Sequence, residues 1–526
     1  MSEETTTNPS DRPNLSAEEL SRAADVLQRI AEDRGVLAEL DDAERKRLLR
    51  YAHQVALPER TERRRLRKAS QRKEREDLAE RRAADERALA ETGIRRQYSV
   101  RQLKKAAPPA PTDDHTTSVD PPDGPELEVE RSCYTCKATY DRLHHFYDSL
   151  CPECAELNWT KRHQTADLTG RYALVTGGRV KIGYHAALKL LRAGAHVVVA
   201  TRFPRDGARR FLEEEDSAEW RDRLTLQGID LRHTPSVESL ADHLLETLPR
   251  LDFLLNNACQ TVRRPPGFYS HLMEGERRLA DALPAAAKPL LESYDERQVR
   301  PAATTSDALT DAMAIDSIAA ALVAGGARAA ELSQIAMAPG DERGGESLFP
   351  TGQYDVDQQQ VDLRDVNSWR LKLADVPTVE LIEVHLVNAV APFILNARLK
   401  PLMKRVPTGD THIVNVSAME GVFYRAYKTD KHPHTNMAKA ALNMMTRTSA
   451  QDYAADGIHM NSVDTGWITD EDPAHIATRK KEELGFHPPL DQIDAAARIC
   501  DPFLDGLLTG NHIWGKFLKD YRVANW

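Results

Sequence analysis

The sequence predicts an α/β fold: a doubly wound parallel sheet, preceded by a charged helical region and a small cysteine ribbon. Three observations lead there. A glycine-rich turn, Thr176-Gly-Gly-Arg-Val-Lys-Ile-Gly183, separates a short apolar run (173–175) from a stretch of helical composition. A second apolar run, 196–200, follows that helix at Gly194, so the unit reads strand, turn, helix, strand. Two Cys-x-x-Cys pairs, Cys133/Cys136 and Cys151/Cys154, stand ahead of the first strand.

The totals set the frame. A chain of 526 residues exceeds one ordinary domain, and 41% hydrophobic residues support a real core. A formal net charge of −10 argues against a general nucleic-acid binder. No apolar run of about 18 residues and no leader pattern are evident at the polar, acidic start, so a cytoplasmic protein without a membrane span is expected. Four of the six cysteines fall in the two pairs, which in a reducing compartment points to metal rather than disulfides.

In chain order, Ser16-Ala-Glu-Glu19 reads as a capping box opening a helix to about residue 31. Residues 42–55 suit a second helix. Residues 59–92 are dense in Arg, Glu and Ala without Pro, and predict a long exposed helix laced with i,i+4 charge pairs. Its basic cluster (Arg63, Arg64, Arg65, Arg67, Lys68) is interleaved with acids and nearly free of aromatics. A solvated helix explains that better than nucleic-acid binding. The charged region is set at 1–105 and a Pro/Asp/Thr-rich linker at 106–128.

The ribbon is placed at 129–160. Fourteen residues separate its inner cysteines, just under the usual ribbon gap. Each knuckle supplies two thiolates, and two knuckles make the closed tetrahedral set of structural zinc. Redox cysteines or chance pairs are the competing reading. Tyr140, His144, His145, Phe146 and Tyr147 read as ribbon packing. The site's expected role is structural or as an adaptor.

From Asp167 on, the motifs resemble the short-chain dehydrogenase/reductase family. The turn is similar to that family's T-G-x-x-x-G-x-G, with Lys181 where the middle glycine is usual. Asn256-Asn257-Ala258 resembles the N-N-A-G signature, with Cys259 in place of glycine and read as a small buried residue. Further matches are Asp230, the helix bearing Asn388, the strand ending at Ser417, Lys439 in an Ala-Lys-Ala-Ala-Leu helix, and the segment from Asn461 to Thr469. The domain is set at 167–526, with an insertion at about 261–375 that is a candidate lid.

The resemblance implies a Rossmann-like nucleotide domain and hydride transfer between a nicotinamide and a carbonyl or alcohol. It assigns cofactor contacts to Thr176, Gly177, Arg179, Lys181, Ile182, Gly183, Arg202, Asp230, Asn256, Lys439 and Thr469. Where the family places an acid for NAD, this chain has Thr201-Arg202. Arg179, Lys181, Arg202 and Arg205 would surround a 2′-phosphate, so NADP(H) is favoured over NAD, against a reading as ordinary surface arginines. The implied catalytic set is Asn388, Ser417 and Lys439. The family's tyrosine, four residues before the lysine, is Thr435 here. An aliphatic hydroxyl is a far weaker acid than a phenol, so Tyr424, Tyr427, His432 and His434 become candidate proton donors. Two functions remain: an NADP(H)-dependent carbonyl/alcohol oxidoreductase, or a non-catalytic nucleotide-responsive protein whose ribbon and basic helices contact a protein partner. A homo-oligomer fits either.

Overall fold

The computed structural model describes residues 15–103, 124–278, 283–299, 329–338, 340–355, 357–425, 428–484 and 487–526. The chain separates into two compact units, Met1–Ala83 and Ala84–Trp526.

The first unit is helical. Helix Ala17–Glu32 starts at the expected capping box: Ser16 Oγ accepts from the Glu19 amide, and Glu19 accepts from the Ser16 amide at 2.7 Å. Asp42–Ala56 follows, then Arg60–Ala90 with its Arg72–Glu76 pair at 2.8 Å. Leu37 is the one buried side chain of this unit among the described residues. Its helices are therefore held by local pairs and caps rather than by a core.

The second unit begins inside the long helix, which corrects the placement of 1–105 as one charged region. Asp85 accepts the Glu128 and Val129 amides at 2.8 and 3.0 Å, and Leu89 and Ile94 are buried in the ribbon's core. The ribbon strands are β1 (Glu126–Ser132) and β2 (Thr139–Arg142), antiparallel. Strand β1 thus starts within the span expected to be linker, of which 104–123 lie outside the described residues. The ribbon is not a separate body either. Leu143, Phe146 and Tyr147 share one apolar cluster with Ile468, Leu490 and Ala495 of the larger domain. Arg162 donates to Asp491 and Asp494 at 2.7–2.8 Å, and Tyr147 donates to Asp494 at 2.5 Å, all buried. Removing one partner of such a buried pair costs about 3–5 kcal/mol.

The main sheet comprises β3 (Tyr172–Thr176), β4 (His196–Thr201), β5 (Leu224–Gly228), β6 (Phe253–Asn256), β7 (Thr411–Ser417), β8 (Ile458–Asp464), β9 (Phe517–Lys519) and β10 (Arg522–Ala524). Its order is β10-β9-β8-β7-β6-β3-β4-β5, parallel except for the β9–β10 hairpin. The central strands are continuous apolar runs because both faces are covered. Helices Lys181–Arg192 and Gln492–Thr509 pack on one face, where Phe503 stacks on Phe253 at 4.5 Å. Helices Thr234–Thr247 and Ala391–Met403 cover the other. The chain winds outward from β3 to β5, then returns beside β3 at β6. That reversal opens a crevice at the strands' carboxyl ends, where ligands bind in such sheets.

Within helix Thr378–Met403 an 18-residue window reaches a mean hydropathy of 1.5, long and apolar enough for a membrane span by length and composition alone. This corrects the expectation of no such run. Leu395, Leu399 and Leu402 are wholly buried against the sheet, so that face belongs to the core.

The insertion serves two places. Helix Lys288–Val299 covers the free edge of β5, where Arg297 Nη2 donates to the Gly228 carbonyl at 2.6 Å. Covering an edge removes a template for strand addition. Helix Pro266–Glu276, Asp355, residues 359–362 and Arg364 reach the crevice instead. Within the insertion, residues 300–328 lie outside the described residues, and Ala329–Leu332 is helical.

Candidate nucleotide-binding and active site

The crevice is a cleft of about 1200 Å³. Its floor is the glycine turn after β3. Gly177 adopts φ +68°, and a Cβ there would lie 2.9 Å from Ala258 Cα; at Gly183 a Cβ would lie 2.4 Å from Asn257 Nδ2. Glycine is required at both for the backbone to come this close. Val180 caps the following helix without a side-chain hydrogen bond, so the helix amides and the positive end of its dipole face the cleft unpartnered by a cap. Gly177, Arg179, Lys181, Ile182 and Gly183 all line it. A dinucleotide's diphosphate fits this cradle.

Lys181, in the glycine position, is left-handed at φ +55°, a conformation that costs a side-chain-bearing residue about 1 kcal/mol. Its ammonium lies 3.9 Å from the Glu471 carboxylate, with Asp355 and Asp357 of the insertion nearby, and Glu471 raises its pKa. Burial pushes the Asp355 carboxyl up to about 6, with Asp357 adding to it.

The expected phosphate cations part company. Arg179 is buried in an ion pair with Asp206, its guanidinium 5.3 Å from the Phe203 ring centre. Arg205 is corrected: it is buried away from the cleft, donating to the Glu276 carbonyl at 3.2 Å and to Asp295 at 3.1 Å. Arg202 lines the cleft, donates to Tyr269 Oη at 2.6 Å and lies over that ring at 4.5 Å. Among the described residues no ion pair holds it, and the Asp230 carboxylate lies within its electrostatic reach.

Three cofactor assignments change character. Thr176 is buried off the cleft wall, and its hydroxyl accepts the Ala258 amide at 3.0 Å, bracing the turn. Asn256 is turned into the sheet, donating to Asn396 and Asn415 at 2.8 Å each; its neighbour Asn257 lines the cleft instead. Asp230 does line the cleft, but Arg232 chelates its carboxylate at 2.7–3.0 Å. Arg232 also reaches Glu383 at 2.8 Å, and Arg263 joins Glu383 to Asp341 of the insertion. Cys259 is exposed on the cleft, correcting its reading as buried. Thr469 lines the cleft and donates to Glu471 at 2.8 Å.

Of the catalytic candidates, Ser417 and Lys439 meet at the carboxyl end of β7. Ser417 Oγ is buried with no partner among the described residues, and Lys439 Nζ donates to the Val416 carbonyl at 2.6 Å. Both line the cleft. Asn388 sits in a π-helical turn, Leu386–Val390, and accepts the Gln260 amide at 2.7 Å. Its side chain therefore holds the loop after β6 rather than facing the cleft. Thr435 is buried without a partner among the described residues and is absent from the cleft wall.

The substitute donors fare unevenly. Tyr424 is 49% exposed, with its hydroxyl 3.9 Å from Met419 Sδ, outside the cleft. Tyr427 lies outside the described residues. His434 is buried toward Glu380 at 3.3 Å. His432 does line the cleft, stacked on Trp369 at 3.9 Å, and burial lowers its pKa to about 4. At neutral pH it is an uncharged acceptor rather than a ready acid.

The cysteine ribbon supplies a wall that the sequence reading did not foresee. Cys133, Cys136, Cys151 and Cys154 hold their Sγ atoms within 4.8 Å of one another, with Cys136 and Cys151 at 3.6 Å. Tetrahedral zinc with Zn–S of about 2.3 Å spaces sulfurs about 3.8 Å apart, so the donor set fits. From the first knuckle Tyr134, Thr135 and Lys137 project onto the same cleft as Ser417 and Lys439. Tyr134 Oη accepts the Trp467 amide at 2.9 Å, 333 residues away in sequence. No local pattern announces so remote a contact.

A parallel sheet wound both ways about a glycine cradle, with serine and lysine at the next strand end, is the arrangement of a Rossmann-like domain. A family model described as short chain dehydrogenase matches residues 171–272, and one described as enoyl-(acyl carrier protein) reductase matches residues 367–492. An uncharacterized protein of Acanthamoeba polyphaga mimivirus is 30% identical over 71% of this chain and 71% of its own length. Dehydrogenase/reductase SDR family member 13 of Bos taurus is 38% identical over 19% of this chain and 27% of its own. The solved NADPH-bound carbonyl reductase from chicken fatty liver is 17% identical, covering 68% of this chain and all of its own, with a TM-score of 0.38. The chain belongs to the short-chain dehydrogenase/reductase family. Residues 273–366, the greater part of the insertion, fall between the two matched spans.

Proposed function

We propose that the protein is an NADP(H)-dependent oxidoreductase that moves a hydride between the nicotinamide and a carbonyl or alcohol substrate. The observation that carries this reading is the meeting of Ser417 and Lys439 on the wall of the cleft that the glycine turn floors. The nicotinamide would supply the hydride. Gly177, Ile182 and Gly183 would bed the diphosphate, Arg202 the 2′-phosphate, and Lys439 the nicotinamide ribose. Ser417, whose hydroxyl is unclaimed by any described group, would hydrogen-bond the substrate oxygen, and the proton that oxygen takes up on reduction would come from water in the open cleft. Thr469 would hold the carboxamide. A cytoplasmic location, a homo-oligomer and one structural zinc on the four cysteines complete the proposal.

A second reading has its own observation. Thr435 offers no phenol and stands off the cleft wall, which favours a nucleotide-responsive protein without turnover. The deciding experiment follows NADPH oxidation against a panel of aldehydes and ketones, beside calorimetric NADPH binding. Turnover lost in both Ser417→Ala and Lys439→Ala supports the enzyme. Tight NADPH binding with no turnover across the panel supports the second reading.

A further inference from the structure

The four-cysteine site stands where a metal could do more than hold a ribbon together. Its first knuckle, Cys133-Tyr-Thr-Cys136, hangs over the nucleotide cleft. Tyr134, Thr135 and Lys137 line that cleft. Tyr134 Oη accepts the Trp467 amide at 2.9 Å, and a Cβ on Gly466 would lie 3.6 Å from the same oxygen. Trp467 in turn donates its indole N–H to the Thr469 carbonyl at 3.0 Å. The segment 464–469 that closes the nicotinamide end of the cleft is thus held by a phenol sitting between two metal-site thiols. Two ammonium groups lie near the phenol ring centre, Lys137 at 5.2 Å and Lys519 at 5.6 Å, and Lys519 also lines the cleft.

The two sides of the ribbon are anchored differently. Behind it, Arg162 and Tyr147 lock to Asp491 and Asp494 by buried polar contacts. The first knuckle faces the cleft with Cys136 exposed, and its own backbone ties are few: Cys133 to Ala138, Tyr134 to Ser149, and Lys137 back to Cys133. Lys137 is left-handed at φ +67°. A cation bound by all four thiolates would tie this knuckle to the anchored Cys151/Cys154 side.

We propose that metal occupancy of Cys133, Cys136, Cys151 and Cys154 and nucleotide affinity of the cleft are coupled, with Tyr134 as the positioning residue between them. This rests on the reading that the cleft binds NADP(H). The ion is one thiophilic divalent cation of tetrahedral preference, zinc foremost. Coupling between two sites is reciprocal: metal tightens nucleotide, and nucleotide retains metal by the same factor.

The test uses the full chain. NADPH is titrated by fluorescence into zinc-loaded protein, into protein stripped by a chelator under reducing conditions, and into stripped protein reloaded with zinc. Circular dichroism checks the fold of each. Stripping is expected to weaken NADPH binding about five- to a hundredfold, and reloading to restore it. In the reverse direction, saturating NADPH should slow zinc release to a chromophoric chelator. Tyr134→Phe keeps the ring and all four thiols but loses the acceptor for the Trp467 amide. It should retain one zinc, bind NADPH more weakly, and show zinc release that no longer responds to NADPH, which a merely structural ribbon residue would not do. Folded, stripped protein that binds NADPH as tightly as the loaded form overturns the coupling. If stripped protein unfolds, zinc release indifferent to NADPH in the wild type overturns it instead. Loaded protein that binds no NADPH overturns the functional reading and the coupling with it, whereas binding that ignores metal overturns the coupling alone.

Discussion

Replacing Arg202 by alanine should weaken NADPH binding about ten- to a hundredfold and leave NADH binding nearly unchanged. The magnitude follows from what the other cations are doing. Arg179 is spent on Asp206, Arg205 on Glu276 and Asp295, and Lys181 faces Glu471 at 3.9 Å. Arg202 is oriented by the hydroxyl and ring of Tyr269 and makes no ion pair among the described residues, with Asp230 only within electrostatic reach. One cation therefore carries the 2′-phosphate preference. A hydrogen bond to a charged group contributes about 1.5–3 kcal/mol, and each 1.4 kcal/mol is a decade in affinity. Calorimetric titration of both nucleotides against wild type and Arg202→Ala at low ionic strength measures it. Added salt should shrink the preference by screening. Equal losses for NADPH and NADH, or none for either, would refute the argument that Arg202 reads the phosphate.

Other expectations concern chemistry, acid stability and assembly. Thr435→Ala should keep most of any turnover while Ser417→Ala and Lys439→Ala each remove most of it; a Thr435→Ala variant as inactive as Lys439→Ala, yet binding NADPH, would return the proton to the threonine. Burial holds the pKa of His432 at about 4 and of His144 at about 3, and that of His412, packed against His459 and His512, well below its usual value. These depressed values make the folded state prefer neutral imidazoles. The stability they contribute is whole above the unfolded pKa of about 6.5 and is lost as pH falls toward the folded values. Urea midpoints should therefore drop between pH 8 and pH 5, and less so in His432→Asn, which tolerates the left-handed backbone there (φ +43°). Ile382, Val390 and Phe393 on one helix, and Met437 and Met444 on another, are exposed, Phe393 by 60%. If these helices form a homo-oligomer contact, light scattering should find a dimer that Phe393→Arg shifts toward monomer.

The sequence by itself determined the parts of this protein that short-range physics controls. Apolar runs marked the strands. The capping box at Ser16 and the stop at Gly194 marked helix ends, and the glycine spacing 177–183 marked a cradle whose close approaches admit no Cβ. Two Cys-x-x-Cys pairs marked a four-sulfur cluster. Ser417 and Lys439 were singled out by their resemblance to the family's motifs, and both line the cleft. What only the tertiary structure decided is which groups face one another across long loops. Side-chain direction at a turn is not a periodic property, so Arg202 turns to Tyr269 on the cleft while Arg205, three residues on, turns to Glu276 and Asp295. Asn256 and Asn257 alternate in the same way, one into the sheet and one into the cleft. Arg232 claims the Asp230 carboxylate through a bond no motif records. The Tyr134–Trp467 contact spans 333 residues, and it exists because the ribbon's apolar face and the sheet's edge loops have nowhere to bury themselves except against each other.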